Sequence, residues 1–429
     1  MSVAPFLSPR CWRRSLVNAT LLFLLAACSR EEPTISGPLS QRGYLWQRNW
    51  NPSVEAALAE ARPPLNGIIL LGAQINWSGK APQIAWTNID WEKLRTTGPH
   101  YSLAVRVTPP AHFSPEEFAA IVAQTGKALL RAARTHNVQL QEFQLDFDCA
   151  QKNLASYRTA VSNIRTQLAP IPLVVTTLPS WLDEPDFRGL IHEVDGYVLQ
   201  VHSVPLSPGK TAAVCDPEAA RRWVKRAAAF GIPFSVALPT YRVTAGYRAD
   251  GHLIAVAMDA VQPAWPPDTR VLEYSTDPNA MADLVNEWNR QRPRELRELI
   301  WYRLPVATDT RNWRWPTLTA VMAGRRPHVH FDIACSGGNP ADLTIFNAGE
   351  TDDEIRGTIG AELPNEKLIA ADALAGWKLK TQSALTLFAV AEGHHLRLPP
   401  GASRKIGWVR YNGATPPTFT YRDATEVVR

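Results

Sequence analysis

The sequence predicts an α/β protein with two parts, a (β/α)8 barrel of the TIM type followed by a small all-β sandwich. Between residue 43 and about residue 324, short β-rich runs alternate with helical segments about eight times, as in a (β/α)8 barrel. An open doubly wound sheet is the alternative, but no Gly-rich phosphate loop follows any of the strands. After residue 325, short alternating strands separated by Gly, Pro and Asn turns indicate the sandwich.

Eight runs are predicted to be the barrel strands. In chain order they are GYLWQRNW from residue 43, NGIILLGAQINW from 66, YSLAVRV from 101, QEFQLDFD from 141, PLVVTTLPSWL from 172, DGYVLQVHSV from 195, PFSVALPTYRV from 233 and LRELIWYRLP from 296. Helices are predicted between them, and the clearest begins at the N-cap Ser114, with Glu117 at capping-box spacing. We therefore expect a barrel over residues 43–325 and a sandwich over 326–429.

The N-terminus has the features of a lipoprotein signal peptide, predicted for residues 1–27. Three arginines precede a short apolar run that ends in LAAC at Cys28, too short to span a bilayer. The LAAC sequence resembles a bacterial lipobox, in which the cysteine is lipidated; an ordinary cleaved signal is the alternative. Because Ser rather than Asp follows at position 29, we expect an anchor in the outer membrane, facing the periplasm, and a polar tether over 28–42.

The charge of the chain disfavours nucleic acid as a partner. Removal of the three signal-peptide arginines lowers the formal charge from +5 to about +2. This charge is too small to indicate the basic surface that nucleic-acid-binding proteins use. The sequence predicts no cofactor and no metal, and a monomer is expected. Four histidines in the predicted sandwich are interpreted as members of a solvated strand face. They are His328, His330, His394 and His395.

Three cysteines remain in an oxidising compartment once the signal is removed and Cys28 is lipidated. Cys149 directly follows Asp148, and Cys215 lies in the loop that leaves the sixth strand. Both are therefore expected above the same face of the barrel, where they would form a disulfide. Cys335 would remain a free thiol in the sandwich.

Two aspartates on the fourth strand are the main candidates for catalysis. Side chains two residues apart share a face of a strand, so Gln144, Asp146 and Asp148 are expected to face the lumen. Asp148 would then lie at the C-terminal rim, where such barrels hold their catalytic groups. Two carboxylates about 6 to 7 Å apart along a strand repel each other, so the pKa of at least one should rise, as a proton donor requires. The alternative is that both are structural groups, bonded to loops or neighbouring strands.

Two family resemblances rest on this region. LQEFQLDFD, YRTAVSNIRTQLAPIPLVVTTLPSWL and VDGYVLQVHSV resemble an uncharacterised bacterial family, domain of unknown function 3142, over most of the barrel. More distantly, the fourth strand is similar to that of family-18 (chitinase-type) glycoside hydrolases, which reads D-x-x-D-x-D-x-E. Gln141 and Gln144 stand at the first two Asp positions, Asp146 at the third, and Asp148 at the catalytic Glu. The resemblance implies that Asp148 donates a proton and that Asp146 orients the substrate.

Further polar and aromatic residues are predicted at the rim, where together they would suit a carbohydrate. Gln200 and His202 share a face of the sixth strand, and Trp301 and Arg303 share a face of the eighth. Each of these side chains also has an ordinary packing explanation. The full set predicted to bind substrate is Arg106, Gln144, Trp181, Gln200, His202, Tyr241, Trp301 and Arg303.

Two classes of function remain. The first is an envelope lipoprotein that hydrolyses or otherwise acts on a glycan. In it, Asp148 would be the general acid, and Asp146 would adjust the pKa of Asp148 or orient the substrate. No second carboxylate ends the seventh strand, so a two-acid mechanism would use both aspartates or borrow Asp183 or Glu184 from the loop after the fifth. The second is a non-catalytic barrel that binds glycan or forms a scaffold. Neither a G-x-S-x-G elbow nor an H-E-x-x-H helix occurs.

Overall fold

The computed structural model describes residues 34–422, except 63, 78–80, 98–99, 111, 205–207, 209–212, 259–262, 363–367, 375, 383–384 and 415–416. The predicted signal peptide (1–27) and Cys28 lie outside the described residues. Among the helices that the structure describes, none combines the length and apolar character needed to cross a bilayer.

Eight parallel strands close into a barrel, which confirms the predicted fold class. They are β1 (Ser40–Leu45), β2 (Gly67–Asn76), β3 (His100–Val107), β4 (Leu140–Phe147), β5 (Leu173–Thr177), β6 (Gly196–Gln200), β7 (Phe234–Pro239) and β8 (Leu296–Tyr302). Each strand pairs with the next along the chain, except that β7 and β8 pair across an insertion. The pairing of β8 with β1 closes the ring. All eight fall within the predicted runs or overlap them.

One helix follows each strand. The helices are α1 (Pro52–Glu60), α2 (Trp91–Thr97), α3 (Pro115–Thr135), α4 (Leu154–Leu168), α5 (Pro185–His192), α6 (Pro217–Ala228), α7 (Pro278–Arg290) and α8 (Trp315–Met322). Side-chain caps fix several of the helix starts. The predicted cap of α3 is present, since the Ser114 hydroxyl accepts a hydrogen bond from the Glu117 amide at 3.3 Å.

The strands separate two apolar cores. The outer core fills the space between strands and helices and includes Phe143, Leu145 and Phe147 of β4. A smaller core fills the middle of the lumen and includes Tyr44 of β1. Gln144, between two outward residues, reaches across the lumen to Tyr44. The predicted assignment of the two faces of β4 is therefore confirmed.

An antiparallel sheet that the sequence analysis did not anticipate is inserted after β7. Its strands are Arg242–Tyr247, Leu253–Ala257 and Arg270–Ser275, with the first in the centre. The run PFSVALPTYRV, predicted as one strand, is therefore divided, with β7 ending at Pro239. A further short strand, Gln83–Trp86, pairs with the end of β2.

The C-terminal part consists of antiparallel strands, as predicted. One four-stranded sheet contains Phe331–Ser336, Ala341–Asn347, Ser403–Tyr411 and Leu368–Ala373, and the other contains Trp377–Gln382, Leu385–Val390, Thr358–Glu362 and Thr418–Arg422. The short strands Asp353–Glu354 and Arg397–Leu398 pair with each other. A separate apolar core, with Leu343, Ile359 and Phe388 completely buried, joins residues from the two sheets.

The second half of the predicted tether is part of the folded barrel. Thr34–Ile35 pairs with Arg292–Pro293, just before β8. The Leu39 amide donates a hydrogen bond to Asn289 Oδ1 at 3.0 Å, and β1 already begins at Ser40. These contacts hold in the fold residues that the sequence analysis had assigned to a polar tether.

The predicted disulfide is wrong, because Cys149 and Cys215 are both free, buried thiols. Cys149 lies two residues after the end of β4 and Cys215 lies in the loop after β6, with β5 between these two strands. The backbone just before Cys215 is bonded to the inserted sheet, since the Val214 amide donates a hydrogen bond to the Ser275 carbonyl at 3.1 Å. Burial raises the pKa of each thiol to about 12. Cys335 is also free, and it is partly buried.

Candidate functional site at the mouth of the barrel

Asp146 lies at the upper end of the lumen and is held by both neighbouring strands. In the β3–β4 register it stands opposite Arg106, whose Nη1 lies 3.2 Å from Asp146 Oδ2. The hydroxyl of Thr176 on β5 donates to Asp146 Oδ1 at 2.9 Å. The residue is only 6% exposed, so these two partners fix the position of its carboxylate and compensate its burial.

Asp148 lies one step further out, just past the end of β4. Its side chain is 44% exposed, and Arg106 Nη2 lies 3.8 Å from its Oδ2. Water reaches this carboxyl group, yet enough protein surrounds it that desolvation, followed by the charge of Asp146, raises its pKa. Arg106 and Gln200 act in the opposite direction without cancelling the shift. Asp148 is thus an accessible carboxyl group beside a fixed one.

Aromatic rings form one wall of the mouth, with Tyr302 at its centre. The ring of Tyr302 packs edge-on against Trp46, at 5.2 Å between centroids, and against Tyr241, at 5.6 Å. It stacks on the imidazole of His202 at 5.5 Å, with 13° between the planes. Tyr302 ends β8, and Trp46 directly follows β1. Flat apolar faces and polar edges therefore occur side by side near Asp148.

His202 is a buried, neutral imidazole in this wall. Burial, with a smaller effect from the charge of Arg106, lowers its pKa to about 4. Its Nδ1 lies 3.1 Å from the Tyr241 hydroxyl, while its Nε2 has no hydrogen-bond partner among the described residues. If Tyr241 donates to Nδ1, then Nε2 carries the proton. In that tautomer the side chain offers an unused donor beside the mouth.

Gln200 precedes His202 on the same face and has a similar position. It is near enough to Asp148 to lower the pKa of that carboxyl group. However, its Nε2 is shielded from solvent and makes no hydrogen bond of good geometry with the described residues. Two side chains that the sequence assigned to the rim therefore carry unsatisfied polar groups.

A pocket of about 410 Å³ opens at this end of the barrel, within the usual range of about 300–1,000 Å³ for ligand sites. It is bounded by the ends of β1, β2, β3 and β8 and by the loop after β8. Its lining includes Trp46, Arg48, Gln74, Arg106, Tyr302 and Arg303. Arg106 belongs both to this lining and to the pair of aspartates, and so connects the pocket with Asp148.

A second pocket of about 480 Å³ lies at the opposite end of the barrel, between α3 and α4. Its lining is mostly apolar and contains none of the predicted site residues. Because the carboxyl pair and the unsatisfied polar groups of Gln200 and His202 lie at the C-terminal ends of the strands, we place the functional site there despite the greater volume of the other pocket.

The two tryptophans predicted to contact a ligand are both buried on the outside of the strands, so those predictions are wrong. Trp181 is completely buried and donates a hydrogen bond to the Cys149 carbonyl at 3.1 Å. Trp301 is also completely buried and donates to Gln41 Oε1 at 2.8 Å. On β8 the inward residues are Ile300 and Tyr302, which pack with the lumen core. The predicted face of the strand was therefore reversed.

Gln144 faces the lumen as predicted, but it lies too deep to bind substrate. It is completely buried; its Oε1 accepts from the Tyr44 hydroxyl and its Nε2 donates to Glu142, both at 2.6 Å. Arg42 continues this network to Glu142 and Glu298. Gln144 is therefore a satisfied member of a polar layer at the base of the lumen.

Three other predicted residues have different positions. Arg303 reaches the pocket, where its Nε lies 2.7 Å from Asp309 Oδ2. Asp183 forms an ion pair with Arg226 of α6, and Glu184 accepts a hydrogen bond from Gln151. Neither acid lines the pocket beside β8, and both bind groups in the helical layer.

The sequence analysis missed Thr176, Trp46 and Tyr302 as parts of the site. Thr176 could have been found from the alternation of side chains along β5, because it lies two residues after Val174, which faces the lumen. Trp46 lay within a predicted strand, with no signal that separated a rim position from an ordinary core tryptophan.

Comparisons with known proteins give one family match. Residues 111–307 match the family model of the domain of unknown function DUF3142, which confirms the first resemblance drawn from the sequence. The chain therefore contains a DUF3142 domain. No curated protein matches the sequence.

Several solved structures are similar to the chain at low identity. The spore cortex-lytic enzyme SleL of Bacillus cereus has 13% identity and a TM-score of 0.46, over 68% of this chain and 75% of that one. A chitinase from Chromobacterium violaceum has 14% identity and a TM-score of 0.46, over 67% and 98%. The tamarind chitinase-like lectin has 12% identity and a TM-score of 0.40, over 67% and 99%.

Proposed function

We propose that the protein is a lipoprotein of the cell envelope whose barrel binds a glycan at its mouth and cleaves it, with Asp148 as general acid. The observation that carries this proposal is the pairing of the accessible Asp148 carboxyl group, whose pKa is raised, with the buried Asp146. A carboxyl group that keeps its proton closer to neutral pH is the type of group that protonates a glycosidic oxygen.

The surrounding residues have roles that follow from their contacts. Thr176 and Arg106 hold Asp146 in place, so its charge acts on Asp148 from a fixed position. Asp146 is also the nearest group available to orient substrate or to stabilise positive charge on the sugar during cleavage. Trp46 and Tyr302 provide the apolar faces on which sugar rings pack.

A binding protein without activity is the second candidate, and Arg106 favours it. The guanidinium group lies 3.8 Å from Asp148, and a positive charge at that distance stabilises the ionised carboxylate. Ligand binding that moved Arg106 closer to Asp148 would convert the acid into a hydrogen-bond acceptor for sugar hydroxyls. The site would then hold a glycan without cleaving it.

The test is a screen of the wild-type protein against peptidoglycan, β-glucans, chitin-like polymers and α-linked polymers, with binding and new reducing ends measured on each. Cleavage of at least one polymer is expected. Binding without cleavage would support the second candidate. If the protein neither binds nor cleaves any of these polymers, both candidates are contradicted and a scaffold role remains.

The location in the envelope depends on Cys28 and is tested separately. Because LAAC ends the apolar run, Cys28→Ala should move the protein from the membrane fraction to the soluble periplasm. The outer membrane is the expected location of the wild type. Unchanged fractionation, together with no fatty-acid labelling of the wild type, would contradict the lipid anchor.

A further inference from the structure

The pocket at the barrel mouth contains a cation that has no counter-ion within the part of the chain that the structure describes. Three guanidinium groups line it, those of Arg48, Arg106 and Arg303. Arg303 is paired with Asp309 at 2.7 Å, and Arg106 is engaged with Asp146 and Asp148. The exposed side chain of Arg48 forms no ion pair or hydrogen bond with any residue that the structure describes.

The charges around the whole mouth also leave an excess of positive charge. With a proton on Asp148, as its proposed role requires, three guanidiniums face the two carboxylates of Asp146 and Asp309. Among the residues that line the pocket itself, three guanidiniums face one carboxylate, that of Asp309, so the lining carries an excess of positive charge.

The lining of the pocket also contains an unsatisfied polar atom. Gln47 Oε1 is shielded from solvent and has no hydrogen-bond partner among the described residues. Thr308 and Thr310, on the loop after β8, contribute hydroxyl groups to the same lining. Buried polar atoms in native proteins are normally satisfied, so this wall is suited to a ligand rich in hydroxyl groups.

We propose that this pocket binds the carboxylate of an acidic sugar, with Arg48 as its counter-ion, so that the substrate is an acidic glycan. The inference rests on the proposed glycan site and names its substrate class. A guanidinium binds a carboxylate through two parallel hydrogen bonds, while Trp46 and Tyr302 face the sugar ring. The carboxylate belongs either to the lactyl ether of a muramic acid or to a uronic acid.

Two matched pairs of oligosaccharides test the inference by calorimetric titration of the mature wild-type protein. The first pair is a tetrasaccharide of alternating N-acetylglucosamine and N-acetylmuramic acid and the corresponding chitotetraose, which lacks the lactyl group. The second pair is tetragalacturonate and its methyl ester. In at least one pair the acid should bind about tenfold more tightly than its neutral counterpart, as expected for one charged hydrogen-bonded pair.

Variants assign the preference to Arg48. Arg48→Gln should abolish the preference for the acid, whereas Arg48→Lys should retain part of it. Arg131→Gln, which removes an exposed arginine of α3, is the matched control and should leave the preference unchanged. Thermal denaturation of each variant checks that the fold is intact.

The outcomes separate the inference from the proposed function. If the neutral oligosaccharides bind as tightly as the acids, the acidic-glycan inference is overturned while the glycan site stands. An acid preference that survives in Arg48→Gln also overturns it. If no oligosaccharide of either pair binds, the acidic-glycan inference is again overturned, and cleavage or binding in the polymer screen decides the proposed function.

Discussion

The neutral state of His202 predicts a specific pH dependence of stability. The unfolded chain takes up a proton on this imidazole with a pKa of 6.5, whereas burial and Arg106 lower the native pKa to about 4. As the pH falls from 6.5 to 4, the unfolded state therefore binds this proton before the native state does. The stability that the neutral imidazole contributes is therefore fully present above pH 6.5 and is lost as the pH falls from 6.5 to 4.

The size of the effect follows from the gap between the two pKa values. At about 1.4 kcal/mol per pH unit, the gap corresponds to a loss of about 3 kcal/mol in the free energy of unfolding. The variant His202→Gln cannot titrate, but it retains an acceptor for the Tyr241 hydroxyl. The wild type should therefore lose about 3 kcal/mol more than the variant between pH 7 and pH 4.

Denaturant unfolding of both proteins at a series of pH values measures this difference directly. The variant serves as the internal control, because every other titrating group is common to the two proteins. Parallel curves for the wild type and His202→Gln would show that the imidazole is not held neutral, and would refute the reasoning from its burial.

Three further predictions concern the site and its surroundings. Asp146→Asn should lower the pKa of Asp148, so pH-rate profiles should show activity declining at a lower pH than in the wild type; an unshifted profile would contradict the coupling. Trp181→Phe should cost about 1–3 kcal/mol of stability in denaturant titrations, through loss of its hydrogen bond, with glycan affinity unchanged; weakened binding would return Trp181 to the site. Cys149 and Cys215 should react with a thiol reagent once the protein is unfolded, and no reductant should be needed. If they react only after a reductant is added, they form a disulfide.

The barrel was predictable because its signals repeat. Each strand is a short apolar run and each helix an amphipathic segment with its own start signal, as at Ser114. The face of β4 was also predictable, since Asp146 is polar while Leu145 and Phe147 on either side are apolar. A single polar residue within an apolar run determines which side of the strand faces the lumen.

The face of β8 was not predictable on the same basis. Strands of a parallel barrel are covered on both sides, and Trp301 and Tyr302 both have large, partly polar aromatic side chains. Only the folded structure shows that Trp301 packs under the helices while Tyr302 reaches the mouth. The inserted sheet at Arg242–Ser275 was missed because YRV was read as the end of β7.

The pairing of Arg106 with the two aspartates depends on register between strands that are forty residues apart. The sequence placed Arg106 near the rim, but the opposition of Arg106 and Asp146 comes from the β3–β4 register. The same guanidinium lies 3.8 Å from Asp148, so the charge environment of that carboxyl group also depends on long-range geometry.

The turnover of Asp148→Asn tests the central claim most directly. The amide is nearly isosteric with the acid but has no proton to donate, so on a polymer that the wild type cleaves, this variant should form product about 10²–10⁴-fold more slowly. Its affinity for the polymer and its melting temperature should stay close to those of the wild type. Asp186→Asn, which changes an exposed aspartate of α5, is the control and should retain full activity. Equal turnover by Asp148→Asn and the wild type would contradict the assignment of Asp148 as the general acid.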